Sequence, residues 1–90
     1  MRNNQVTLAG AHRVLELLKE GRTIEFGSGH WGRSIERWDA KLGMVVKLSE
    51  SVHGGPRIGE PGCDREETQP GKWIGRLLSD GHATKVKGWL

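Results

Sequence analysis

Apolar residues in the first part of the chain recur with the period of a helix. Leu8, Ala11, Leu15 and Leu18 lie three, four and three apart, with Val14 and Leu17 beside them, which is the buried stripe of an amphipathic α-helix. Thr7 stands where a capping hydroxyl belongs and Gly21 where a left-handed residue would stop the helix, so the pattern predicts a helix from about Leu8 to Glu20. The period then changes to two. Arg22-Thr23-Ile24-Glu25-Phe26 alternates polar and apolar before Gly27-Ser28-Gly29 breaks it, which predicts a half-buried strand with Ile24 and Phe26 facing the core.

Residues 30–42 carry two competing signals. Trp31, Ile35, Trp38 and Leu42 fall at helical spacing, whereas Asp39-Ala40-Lys41-Leu42-Gly43 reads as a hairpin turn closed by a glycine at positive φ. Glycines at 27, 29 and 32 make a poor helix start, and Met44 to Leu48 is a β-branched apolar run, so the hairpin is favoured, with strands near Trp31–Trp38 and Met44–Ser49. Residues Ser51 to Gln69 contain Gly54, Gly55, Pro56, Gly59, Pro61 and Gly62 but little apolar surface, and are read as one long loop, either a connector or a functional segment. Pro70 opens a second helix whose apolar face is Trp73, Ile74, Leu77 and Leu78, ended by Asp80-Gly81. His82 to Leu90 follows as a final strand, with Thr84, Val86 and Gly88 on one face. The sum is a single α+β domain over residues 1–90: a three-stranded antiparallel meander plus a C-terminal strand, packed by two helices on one face.

Composition narrows the class of molecule. One cysteine in 90 residues excludes a disulfide scaffold and suits a reducing cytoplasm. No apolar run is long enough to cross a membrane. Fourteen Lys and Arg against eleven Asp and Glu give a net charge of +3, which favours phosphate or acidic surfaces without requiring them. Four of the five aromatic residues are Trp, a side chain that serves thin cores and binding hot spots alike.

Candidate chemistry is sparse. Cys63 lacks a second Cys or His at the spacing of a structural zinc site, so no metal and no cofactor is expected. A small enzyme using Cys63 with His53 as base is one alternative, weakened because the thiol has no visible activating group. Gly27-Ser28-Gly29-His30-Trp31-Gly32-Arg33 matches neither a Walker loop nor a complete dinucleotide fingerprint.

The strongest local cluster interleaves rings and cations: Trp31, Arg33, Arg37, Trp38, Lys41 and Lys47, the mixture found at protein hot spots and on nucleic-acid surfaces. Strand alternation puts Arg33 and Arg37 on one face with Ile35 between them. The order helix, three strands, helix is similar in topology to a double-stranded-RNA-binding domain, but its lysine-rich second helix is reduced here to Lys72. A winged helix would need a return strand after Trp89 that is not present.

The expected function is therefore that of a non-enzymatic binder occupying the surface of a protein or nucleoprotein partner. An anti-CRISPR-like inhibitor, made by a phage or mobile element against host defence machinery, is the role such a small domain suits. A basic DNA- or RNA-binding regulator is the alternative. Homo-oligomerisation would cover apolar surface that a thin core leaves exposed near Trp89 and Leu90.

Overall fold

A computed structural model describes residues 7–27, 32–79 and 86–90. They form α1 (Leu8–Lys19), β1 (Ile24–Gly27), β2 (Arg33–Asp39), β3 (Met44–Glu50), β4 (Asp64–Thr68), α2 (Pro70–Ser79) and β5 (Val86–Trp89). All strand pairs are antiparallel, in the order β4-β3-β2-β1-β5. The fold is thus the small α+β arrangement that the periodicity predicts, with one strand more.

Helix α1 begins where Thr7 accepts the Gly10 N–H at 3.0 Å and ends in a Schellman motif. There the Gly21 N–H reaches the Leu18 carbonyl at 2.9 Å and the Arg22 N–H reaches the Leu17 carbonyl at 3.2 Å. Gly21 has φ +103, which a residue with a Cβ adopts only under strain. Ala11, Leu15 and Leu18 from α1 meet Trp73, Ile74 and Leu77 from α2 over Ile24, Phe26 and Val45 of the sheet. Both helices therefore cover one face.

The hairpin signal wins over residues 33–50. Every residue from Arg33 to Asp39 pairs with one from Glu50 to Met44, Trp38 opposite Val45 and Arg37 opposite Val46. The turn is closed by Gly43 at φ +66, whose N–H reaches the Asp39 carbonyl at 2.8 Å. Once this long ladder forms, the helical spacing of Ile35, Trp38 and Leu42 has no helix to stabilise.

Two expectations need correction. The loop read over Ser51 to Gln69 ends at Cys63, because Asp64–Thr68 pairs with Val45 to Ser49 as a fourth meander strand. Four of its five residues are exposed, so an edge strand built from charged side chains carries no hydrophobic alternation to reveal it. In the final strand, a register shift sets Val86 opposite Phe26 and Gly88 opposite Glu25, and this bulge interrupts the simple alternation expected of Thr84, Val86 and Gly88. Thr84 lies outside the described residues, as do Asp80 and Gly81, expected to end α2.

The helix-free face has a smaller cover of its own. Val46 and Leu48 are buried yet lie outside the main core cluster. Glu50 ties down the loop that follows it, accepting the Ile58 N–H at 3.0 Å and the Arg57 guanidinium at 3.3 Å. Arg65 on β4 reaches Asp39 on β2 at 3.8 Å. Since Arg65 sits opposite Leu48 and Asp39 opposite Met44, this side chain crosses β3 over Val46.

Candidate interaction site

The six clustered candidates do not share one surface. Trp31 lies outside the described residues. Arg33 and Arg37 are on the helix-free face, as strand alternation predicts, with Ile35 between them. Trp38 and Lys47 are on the helix-covered face, where Trp38 packs against the core cluster and Lys47 pairs with Glu66 at 3.7 Å. Lys41 is exposed in the hairpin turn.

On the helix-free face most charges are satisfied locally. Arg33 is ion-paired with Glu25, and Arg65 with Glu67 at 3.0 Å as well as with Asp39. Arg37 has no ion pair among the described residues and lines a shallow cavity of about 260 Å³ with Leu48, Cys63 and Arg65. That cavity also carries Glu60 but no histidine. His53 is exposed near the start of the loop, its N–H on the Ser51 hydroxyl at 3.0 Å, and it does not line that cavity.

A different cluster forms at one end of the sheet. Ile24 is opposite Glu36 on β2 and opposite Trp89 on β5, so the α1–β1 link, the 40–43 turn and Leu90 all emerge at the same edge. Leu90 is tied there through its N–H to the Thr23 carbonyl at 2.8 Å. Two half-buried indoles flank Ile24 on the helix-covered side, and both pack against the core. The Lys19 ammonium lies 4.9 Å from the centroid of the Trp38 ring, and the Arg22 guanidinium 4.6 Å from that of Trp89, within the range of a cation–π contact.

The local sequence explains this geometry. Lys19 is the last residue of α1, where a cation also meets the negative end of the helix dipole. The glycine stop turns the chain so that Arg22 leaves the helix toward β5. Asp39 shapes the neighbouring turn by accepting the Lys41 and Leu42 N–H groups, each at 3.0 Å, and in that turn, which follows Trp38 in the chain, Lys41 and Leu42 are exposed. Leu90 is 61 % exposed.

Arg13, Arg33, Lys47, Arg57, Arg65 and Arg76 each meet a carboxylate. Lys19, Arg22, Lys41, Lys72 and Lys87 meet none among the described residues and are exposed, and Arg37 on the helix-free face meets none either. Sequence reasoning found Trp38 and Lys41 of this cluster but missed Lys19, Arg22 and Trp89. The one local signal was a basic residue on either side of the Gly21 stop.

Within the core, the Trp73 indole N–H donates to the Glu36 carboxylate at 2.8 Å, and both side chains are almost fully buried. Among the described residues no group of three His, Cys, Asp or Glu side chains could hold a metal ion, and no helix is long and apolar enough to cross a membrane. No protein-family model matches this sequence, and no curated protein and no solved structure matches it significantly.

Proposed function

We propose that this protein is a non-enzymatic binder that acts by occupying the surface of a protein or nucleoprotein partner, through the end of the sheet around Trp38 and Trp89. The observation that carries this reading is the pair of cations held over two half-buried indoles, neither ion-paired with a carboxylate among the described residues. Large rings packed from below give a rigid platform, and a guanidinium or ammonium fixed above it loses little side-chain freedom on meeting an anion. Trp and Arg are the residue types on which interface energy concentrates. Steric occupation suits an anti-CRISPR-like inhibitor of host defence machinery, and that is the biological role proposed. Lys19, Arg22 and Lys41 would equally serve a DNA- or RNA-binding regulator, whose affinity would fall steeply with salt.

The test compares two variants in pull-downs from host lysate, with and without nuclease. Lys41→Glu alters one exposed side chain, in the turn that follows Trp38, that has no ion pair among the described residues, so the fold should keep its thermal midpoint. Lys19→Glu with Arg22→Glu removes both cation–π contacts, at about 0.5–1 kcal/mol each, and should remain folded by circular dichroism. Both variants are expected to lose capture of the partner. Folded variants that capture as before would move the interface elsewhere, with Arg37→Glu on the helix-free face as the next one to make.

A further inference from the structure

We propose that the loop over residues 51–63 and the sheet beside it form a binding site for a small monocarboxylic acid, whose carboxylate is taken by Arg37. The site lies on the helix-free face and is independent of the cation–indole end.

The loop builds its wall from its own backbone. The Glu60 N–H reaches the Arg57 carbonyl at 2.9 Å, and the Cys63 N–H reaches the Glu60 carbonyl at 3.2 Å. Gly59 and Gly62 stand at the third position of these two turns with φ +92 and +88, which is the signature of consecutive type II turns, and Pro61 supplies the fixed φ before Gly62. The Glu60 carboxylate turns back to accept the Arg57 N–H at 2.7 Å, while Glu50 holds Ile58 and Arg57 to the end of β3. A segment bonded in this way has its shape before anything binds, so a ligand does not bear the cost of ordering it.

The turns and the sheet enclose the cavity of about 260 Å³, the room of roughly eight waters at about 30 Å³ each. Of its two guanidinium groups, that of Arg65 meets Asp39 and Glu67. The half-buried Arg37 meets no carboxylate among the described residues, so its fork of donors faces a cavity whose other lining includes the buried Leu48 and the Cys63 thiol. A planar guanidinium matches a carboxylate with two parallel N–H bonds. The surrounding charge then limits what kind of anion fits. Glu60 lines the same cavity, and Asp39 and Glu67 stand on Arg65, so a second negative charge on the ligand would be repelled. One carboxylate on a short apolar body satisfies Arg37 and Leu48 together, and a phosphate dianion does not.

The experiment titrates the isotope-labelled protein with butyrate, its neutral counterpart butyramide and inorganic phosphate at constant ionic strength, following the Gly62 and Cys63 amides and the Arg37 Nε–H by NMR. Butyrate should shift these resonances saturably with a millimolar Kd, and butyramide and phosphate should bind at least about tenfold more weakly. Arg37→Gln removes a charge that has no ion pair among the described residues, so it should remain folded by circular dichroism and weaken butyrate about tenfold. Lys87→Gln removes an equal charge from an exposed residue outside this cavity and should leave butyrate binding unchanged. Butyramide binding as tightly as butyrate would overturn the role of Arg37 in the unmodified protein, whether or not the variant folds. Phosphate binding more tightly than butyrate would overturn the carboxylate class. Resonances that none of the three probes moves, or a loss as large with Lys87→Gln as with Arg37→Gln, would overturn the site. Each of these results leaves the cation–indole end to its own test, which alters Lys19, Arg22 and Lys41 and not Arg37.

Discussion

On one face of the sheet, β1 and β3 present Ile24, Phe26 and Val45 to two helices; on the other, β3 presents Val46 and Leu48 to a glycine-rich loop and to arginine stems. The first face is closed by apolar volume, with the buried Trp73 donating to the buried Glu36 within it. The second is closed by ion pairs laid across short aliphatic side chains and by the anchoring of Ile58 and Arg57 on Glu50. An arginine whose stem covers an apolar neighbour while its head meets a carboxylate can seal a sheet without a helix. The two faces should therefore respond differently to mutation.

The largest effect is expected on the helix-covered face. Trp73→Ala removes a fully buried indole and takes a donor from Glu36, which should cost about 3–5 kcal/mol in urea unfolding. A loss near that of an exposed substitution would mean that this face is no more tightly built than the other.

Next comes the contact that starts the helix-free cover. Gly32 has φ +116, and a Cβ there would lie 2.1 Å from the Glu50 carbonyl oxygen. Gly32→Ala must push two strand ends apart as well as strain its own backbone, at about 2–4 kcal/mol in all. Gly43 is the control, since a Cβ there meets nothing within 4 Å, so Gly43→Ala should cost only the left-handed backbone penalty of about 1 kcal/mol. Equal losses from the two substitutions would show that the approach of Gly32 to Glu50 is loose.

The smallest global effect, about 1 kcal/mol, is expected from Glu50→Ala, because the bonds that it removes anchor a loop. Its local effect should be large. Hydrogen exchange at the Ile58 amide should accelerate while the Trp73 amide keeps its protection. Equal acceleration at both positions would unite the two faces into one cooperative unit and end the contrast.

The same contrast explains which parts were legible in the sequence. Both helices and the β2–β3 hairpin announce themselves because apolar volume must recur with the period of the element that buries it, and Gly43 marks the turn. Strand β4 does not, because its residues Asp64 to Glu67 are charged and exposed. Glu36 was equally hidden: alternation alone would bury Ile35 and expose its neighbour, whereas the carboxylate faces the helices and Ile35 lies on the helix-free face. The candidate site was half legible. Trp38 and Lys41 stand close together in sequence, but Lys19, Arg22 and Trp89 come from three elements whose meeting depends on the strand order.

That strand order also sets a timetable. Strand β1 lies between β2 and β5, so a segment made before the hairpins and α2 finds its second neighbour only after them. While the ribosome makes the hairpins and α2, the outer edge of β1 keeps its N–H and C=O groups unpaired. Bringing β5 back to it is, with the docking of α2 on α1, a highly non-local step in the fold, and such contacts are slow to form. Trp89 travels on that same strand, so the step that seals the sheet also delivers the second indole. A nascent chain lacking β5 would carry Lys19 and Trp38 but not the paired end, so on the proposed reading competence to bind would arrive together with the completed sheet.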